Sequence, residues 1–338
     1  MQPQSMKAVQ LHTFGGPDVL RFEEAPVPVV GPDEVLVKVR AVGINPPDWY
    51  LRDGYKMLPP EWQPAVEFPL IPGTDIAGEV VSLGEAVTGF AVGDAVYSMV
   101  RFPEGLAGES RAYAEYVAVP AHQLGHKPSA ISDEEAAAAP MSLLTAWQFL
   151  MDLGHNEANP LQAAQHQPVA LKGKRVLING AAGGVGHFLV QIAKWQGAHV
   201  VAVASGAHEA FLRELGADEF IDYTTTSVTE AVDPVDLVVD AVGGAHAEGF
   251  IAIINRGGAL FPIFPLGFDG FETARHAGVN VSTTQVRSNG AQLDELAKLL
   301  EQGIIKVTID SQYPLAQATQ AHIRAAKGHI RGKLVLTV

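Results

Sequence analysis

Cysteine is absent from all 338 residues, which rules out disulfides, thiolate nucleophiles and every cysteine-ligated metal site. Positive charge is scarce, with 23 Lys and Arg against 37 Asp and Glu and a formal charge of −14. No Lys/Arg-rich block offsets this, so binding to a nucleic-acid backbone is disfavoured. No apolar run reaches the roughly 18 residues of a membrane span. Residues 1–6 are short and polar with no apolar leader core behind them, so a cytoplasmic location is the default expectation. No repeat or low-complexity tract stands out. The remaining balance, 47% hydrophobic and 18% charged, is that of an ordinary globular protein, and the length suits two domains.

The most informative stretch present is Asn179-Gly180-Ala181-Ala182-Gly183-Gly184-Val185-Gly186. An apolar strand-like run at 175–178 precedes it, a helix-like run at 187–195 follows, and a second apolar strand at 199–204 comes next. Strand, glycine turn, helix and strand in that order form a right-handed βαβ crossover of the kind that binds a dinucleotide. The glycines permit a tight turn and close approach of backbone to a pyrophosphate, whose charge then meets the N–H groups opening the helix. A structural turn that only packs helix on sheet is the competing reading.

The rest of the chain has two textures. Short Val-rich runs at 7–11, 34–42, 76–83, 94–99 and 113–119, separated by Gly and Pro, predict a β-rich barrel or sandwich-like unit. The alternation of Val35, Val37 and Val39 predicts half-buried strands. Ser132 reads as an N-cap followed by Asp133, Glu134 and Glu135, and Pro140 as the break before a second helix reaching residue 153. Residues 155–168 are polar and aperiodic, as in a surface loop. From Lys174 onward strands at 175–179, 199–204, 237–241 and 258–263 alternate with helices at 184–196 and 207–215. Helices at 293–300 and 315–327 and a closing strand at 333–338 return to the N-terminal unit. The expected fold class is α/β, a Rossmann doubly wound parallel sheet with a β-rich second domain.

Several ordered motifs sharpen this. Gly43-Ile44-Asn45-Pro46-Pro47-Asp48-Trp49-Tyr50 with Arg52 and Gly54, Pro72-Gly73-Thr74-Asp75-Ile76-Ala77-Gly78, Gly93-Asp94-Ala95-Val96 and Leu144-Thr145-Ala146-Trp147 lead to the glycine turn. Leu215-Gly216-Ala217-Asp218, Ile221-Asp222-Tyr223 and Gly332-Lys333-Leu334-Val335-Leu336 follow it. On these motifs, and over nearly its whole length, the chain resembles a medium-chain dehydrogenase/reductase of the zinc-free quinone oxidoreductase and enone reductase branch. The resemblance implies a GroES-like substrate domain at 1–140 completed by 305–338, and a Rossmann cofactor domain at 141–304. It also implies an active-site cleft between them and a homodimer joined through the Rossmann sheet edge. Ala181 and Ala182 depart from Gly-x-Gly-x-x-Gly in a form common to the zinc-free branch.

A site preferring NAD carries Asp or Glu at the end of its second strand, about 20 residues past the glycines, to hold the ribose 2′-hydroxyl. Here that strand ends Ala204-Ser205-Gly206. Without a carboxylate a 2′-phosphate is not repelled, and Ser205 can donate a hydrogen bond to it, so NADPH is the expected cofactor. The resemblance puts Tyr223 beside that phosphate and Thr145 near the nicotinamide. His208 and Arg213 are candidate cations, with Lys333 a third; Arg213 also fits an i,i+4 pair with Glu209. Gly180, Ala181, Gly183, Gly184, Val185 and Gly186 form the expected cradle. Val242 and Phe264 follow Rossmann strands at the carboxyl edge, where ligands bind.

Zinc enzymes of the resembled superfamily hold metal with Cys and His. One ligand position corresponds to Asn45, and another falls in the Pro72-Gly73-Thr74-Asp75 turn. No cysteine is present and the twelve histidines are scattered, so no zinc site is expected. Losing a Lewis acid makes alcohol oxidation difficult, whereas hydride addition to an enone or a quinone needs only donors aimed at the developing oxyanion. Asn45 and Tyr50 are the expected donors, with Tyr55 and Lys56 near in sequence. The bland readings are a turn cap for Asn45, a packed aromatic for Tyr50 and, for Asp48, a brace to Arg52 or to backbone N–H groups rather than an acid. Trp49, Trp62 and Phe68 line an apolar pocket or pack in the core. The expected function is NADPH-dependent, zinc-independent reduction of a small-molecule quinone or α,β-unsaturated carbonyl. The alternatives are a non-catalytic NADPH-binding redox sensor or structural protein, and an enoyl reductase of another substrate class.

Overall fold

A computed structural model describes residues 3–156, 161–162 and 164–338. Met1 and Gln2, with part of the expected 155–168 loop, lie outside the described residues. The chain divides into two compact units, Met1–Leu144 with Arg287–Val338, and Thr145–Val286.

The first unit opens with an antiparallel pair, β1 (Ser5–Gln10) and β2 (Arg21–Pro26). The eleven-residue β3 (Glu34–Ile44) leads straight into α1 (Pro46–Arg52), and β4 (Asp75–Leu83), β5 (Ala95–Met99), β6 (Tyr116–Pro120) and β7 (Leu124–His126) follow. β3 is not half-buried as its valines predict, because Leu36 is as fully buried as Val35 and Val37. β4 and β6 both pair with β3, and α2 (Asp133–Ala138) packs on it. At Gly43 the packing is so close that a Cβ would meet Ala137 O at 2.2 Å. Ser132 caps α2 by accepting from Glu135 N–H at 3.1 Å, and α3 (Pro140–Met151) begins at the expected proline.

The second unit is a parallel sheet. Its elements are β8 (Arg175–Asn179), α4 (Gly186–Trp195), β9 (His199–Ala204), α5 (Glu209–Glu214), β10 (Glu219–Asp222) and α6 (Val228–Ala231). There follow β11 (Val235–Asp240), β12 (Ile254–Pro262), α7 (Phe271–Ala277) and β13 (Asn280–Val281). The strand order β10-β9-β8-β11-β12-β13 is the doubly wound Rossmann order, reversing between β8 and β11. The sequence reading misses the short edge strands β10 and β13, which carry too few residues for a period to show.

The chain then returns to the first unit through α8 (Gly290–Glu301), β14 (Ile309–Pro314), α9 (Ala318–Ala326) and β15 (Lys333–Thr337). β15 lies between β14 and β3, antiparallel to β3, with Leu334 opposite Ile44. That register carries Lys333 to the end of β3, where α1 begins. Among the described residues no helix is long and apolar enough to cross a membrane.

Candidate functional site

In the first unit the site grows from the junction of β3 and α1. Lys333 donates its ammonium to Asn45 Oδ1, and to Ile44 O at 2.9 Å. An ammonium only donates, so the Asn45 amide is fixed with its oxygen toward Lys333 and its NH₂ toward Thr74 Oγ1 at 3.4 Å. Asn45 is 1% exposed. Lys333, considered above as a third cation for a 2′-phosphate, has a different place. It is buried, and a buried ammonium must direct its donors at the acceptors around it.

Two buried carboxylates surround this pair. Asp48 Oδ2 accepts Asn45 N–H at 2.8 Å and Tyr113 O–H at 3.1 Å, and Asp75 Oδ2 accepts Met141 N–H at 3.0 Å. Burial pushes the Asp48 carboxyl up to about 7; the Asn45 N–H opposes the rise and the charge of Asp75 adds to it. Burial likewise drives Asp75 up to about 6 against the pull of Lys333. It draws Lys333 down while Asp75 and Asp48 hold it up.

Behind Asp48 runs a hydrogen-bond chain whose direction is fixed. Arg52 Nη1 lies 2.9 Å from His322 Nδ1, and Tyr113 Oη lies 3.0 Å from His322 Nε2. A guanidinium only donates, so Nδ1 accepts, Nε2 carries the hydrogen and donates to Tyr113 Oη, and the phenol donates to Asp48. Burial, helped by the Arg52 charge, pushes His322 down to about 3 and holds it neutral. Asp48 therefore does not brace Arg52 directly. It reaches Arg52 through two rings, while Arg52 pairs with Asp53 at 2.8 Å.

Tyr50 and Trp49 lie half-buried on α1, where Asp48, Leu51 and Arg52 supply the buried side, and their rings meet edge-on at 6.0 Å. Burial raises the Tyr50 hydroxyl, so it keeps its proton and remains a donor. Tyr55 is buried, Lys56 is exposed, and Trp62 and Phe68 lie at the surface, 41% and 40% exposed, rather than in the core.

The second unit assembles the other expected residues. Gly180 follows β8 with φ 73°, and a Cβ there would meet Val242 Cγ2 at 2.9 Å. Phe264 closes over Gly243, where a Cβ would meet Phe264 O at 2.5 Å. Gly180, Val242 and Phe264 thus share the carboxyl edge of β8, β11 and β12. Ala181 and Ala182 are buried in the turn, Gly183, Gly184 and Val185 are partly open, and α4 starts at Gly186. Thr145 is buried on α3. Asp240 Oδ1 ties the edge together, accepting from Asn179 Nδ2 at 2.8 Å and Val242 N–H at 3.0 Å.

Ser205 follows β9. His208 N–H returns to Ser205 O at 3.0 Å, and Tyr223 N–H donates to Ala204 O at 3.3 Å, so Ser205, His208 and Tyr223 gather at one strand end. Arg213 takes the bland role, pairing with Glu209 at 3.2 Å and donating to Asp218 O. One acid went unweighed: Asp222, at the end of the neighbouring β10, lies so close that a Cβ on Gly206 would meet its Oδ2 at 2.5 Å.

Known proteins can be set beside this geometry. The family model of the alcohol dehydrogenase GroES-like domain matches residues 31–129, and that of the zinc-binding dehydrogenase matches residues 215–336. The mitochondrial NAD(P)H oxidoreductase RTN4IP1 of Mus musculus is 33% identical over 98% of this chain and 89% of its own. The chain belongs to the medium-chain dehydrogenase/reductase superfamily, in its zinc-free quinone oxidoreductase and enone reductase branch. Membership places it among oxidoreductases. The 2-methylene-furan-3-one reductase of Solanum lycopersicum is 32% identical over 99% of this chain and 79% of its own. The solved quinone oxidoreductase of Coxiella burnetii superposes with a TM-score of 0.84 at 32% identity, covering 99% of both chains.

The sequence reading missed the roles of Asp75, Tyr113, His322 and Asp222. Asp75 sits in a quoted motif, but nothing local marks it as a buried anion. His322 is 270 positions from Arg52, a separation no periodicity bridges.

Proposed function

We propose that this oxidoreductase moves hydride from NADPH to a small quinone or α,β-unsaturated carbonyl without zinc. The observation that carries the proposal is the Lys333–Asn45 pair. In zinc enzymes of the superfamily metal ligands correspond to Asn45 and to the turn holding Thr74. Here those places offer an amide, a hydroxyl and the buried Asp75 carboxyl that faces Lys333, and the amide oxygen already accepts from that ammonium. This donor set does not fit zinc, and the nearby ammonium repels a cation. Among the described residues no three His, Asp or Glu side chains gather as metal ligands.

The second unit fits a nicotinamide nucleotide. Gly180, Ala181, Gly183, Gly184, Val185 and Gly186 leave backbone where a pyrophosphate needs it, at the start of a ten-residue helix. Ser205, His208 and Tyr223 would hold the adenosine end, with Thr145, Val242 and Phe264 toward the nicotinamide. The bound nucleotide would supply the hydride. NADPH is favoured because Ser205 rather than a carboxylate follows β9; the Asp222 carboxylate, held ionised by Thr224 N–H at 2.9 Å and Thr224 Oγ1 at 2.6 Å, works against that preference from the neighbouring strand.

On the substrate side, Tyr50 would donate to the oxygen that gains charge as hydride reaches the double bond. Asn45, polarised by Lys333, would be the second donor on giving up Thr74. Solvent would return the proton to carbon. A homodimer through the sheet edge belongs to the same proposal.

Steady NADPH consumption against a panel of quinones and enones is the test. Turnover dependent on the acceptor supports the proposal; tight NADPH binding with no consumption across the panel would assign a sensor instead.

A further inference from the structure

Among the described residues three buried oxygens at this site have no hydrogen-bond partner, Asp48 Oδ1, Asp75 Oδ1 and Ser110 Oγ; of the three residues, Asp48 and Ser110 share a cavity. That cavity is small, about 10 Å³, and its walls also include Tyr55, Gly73 and Thr74. That is the room of a single water, and a water in a polar pocket takes up such orphaned atoms. Ser110 also lines an open cavity of about 460 Å³ bounded by Pro28, Glu109, Arg111 and Tyr116. One serine, its hydroxyl buried, thus lines both the outer hollow and the pocket that holds the Asp48 carboxyl.

We propose that Asp48 and Ser110 bind a single buried water between them, and that Ser110 and this water form the route by which the Asp48 carboxyl exchanges its proton with solvent in the outer cavity.

The hydrogen-bond chain behind Asp48 supplies the reason the route must run this way. Asp48 Oδ2 already accepts two hydrogens, from Asn45 N–H and Tyr113 O–H, and the second is forced by the donor-only guanidinium of Arg52. A proton added to the carboxyl therefore resides on Oδ1. The back of the group is closed as a path, because His322 is neutral and its single hydrogen points away from Arg52. The exchange balances: Oδ1–H passes its proton to the water, the water passes one to Ser110 Oγ, and the serine passes its own to the outer cavity. The charges facing Asp48 are those of Asp75 and Lys333, and the hydroxyls of Tyr55 and Tyr113 also face it; Glu109 stands on the Ser110 side. Asp75 favours the protonated carboxyl and Lys333 the ionised one.

A crystal structure of the wild-type protein tests the water directly, without any variant. An ordered water within hydrogen-bond distance of both Asp48 Oδ1 and Ser110 Oγ is expected, and a dry cavity overturns the proposal. Infrared spectroscopy tests the route. At pH 5 the carbonyl band of a buried protonated carboxyl is expected, and its loss in Asp48→Asn assigns it. On rapid transfer to D₂O this band should shift promptly in the wild type and in Ser110→Thr, which keeps the hydroxyl. In Ser110→Val, which removes it, the shift should slow about tenfold or more. Equal exchange in the valine variant, or no such band in the wild type, overturns the route. These readouts need neither nucleotide nor acceptor, so they stand apart from the fate of the proposed activity.

Discussion

Lys333 and Asn45 stand 288 positions apart in the chain and meet as ammonium and amide oxygen at the end of β3. The β15–β3 register makes the meeting inevitable, since Leu334 opposite Ile44 leaves Lys333 beside the first residue after the strand. The contact orients the amide, and it places the cation nearest to two buried carboxylates. One side chain thus serves both the stability of the first unit and the chemistry proposed for it.

Replacing Lys333 with Met removes that cation and leaves Asp75 and Asp48 buried without it. Breaking a buried pair in this way costs about 3–5 kcal/mol. The loss should appear in urea denaturation at pH 8, where both carboxyls are ionised. At pH 5, below their raised values of about 6 and about 7, both are neutral and the loss should fall to less than half. An equal loss at both pH values would reduce Lys333 to a packing role.

Asp48 makes its own contribution to the pH dependence of folding. Unfolded, its carboxyl ionises near the ordinary carboxyl value of 3.8; folded, burial holds the proton until about 7. Between these values the folded state binds more protons than the unfolded state, so this group's contribution to stability falls as pH rises, by up to about 1.4 kcal/mol per pH unit. Asp48→Asn removes the titration while its amide oxygen can still accept from Asn45 and Tyr113. The melting temperature of the variant relative to wild type should climb from pH 4 to 7 and level off above. A flat difference across that range would show that Asp48 ionises freely in the folded protein.

The doubly wound half was legible because local signals suffice there. The bounds 175–179 and 199–204 coincide with β8 and β9, whose apolar runs end at glycine-bearing turns. The edge strands β10 and β13 were not, since four and two residues carry no pattern. In the first unit Asn45 and Tyr50 stood out through motif, but what surrounds Asn45 did not. Lys333, Tyr113 and His322 converge through sheet register and helix docking, and a residue's burial among distant partners leaves no trace in its neighbours. Asp222 was overlooked for a related reason. A ribose-binding acid is expected at the end of β9, while the parallel pairing of β10 brings a carboxylate to the same turn from 17 positions further on.

Ser205 and Asp222 make nucleotide choice testable in both directions. Ser205→Asp sets a carboxylate where a 2′-phosphate would lie and should weaken NADPH by tenfold or more on electrostatic grounds, with a smaller effect on NADH. Asp222→Asn removes a negative charge beside Gly206 and should tighten NADPH relative to NADH, by about two- to fivefold at this exposed site. Fluorescence titration of both nucleotides with each variant provides the check. Equal changes for the two nucleotides would remove Ser205 from any role in reading the phosphate.

Gly183 and Gly186 of the turn should respond differently to the same added methyl group, because their surroundings differ. At Gly186 a Cβ would meet Gly180 O at 2.1 Å and Ala181 Cα at 2.7 Å, all of it backbone. Nothing flexible can yield, so Gly186→Ala must push α4 away from the turn. It should cost stability near the upper end of the 1–3 kcal/mol typical of overpacking, and abolish nucleotide binding with it. At Gly183 the nearest atom to a Cβ is Gly180 O at 3.3 Å, a contact relieved by a few tenths of an ångström. Gly183→Ala should therefore leave the melting temperature within about 2 °C of wild type, a change below about 1 kcal/mol. It should still weaken nucleotide binding, since the methyl group stands where backbone must approach the pyrophosphate. Melting curves with and without NADPH separate the two effects. A Gly183→Ala protein that keeps full nucleotide-induced stabilisation would mean that the pyrophosphate does not rest on that residue, and the cradle would have to be redrawn around the start of α4 alone.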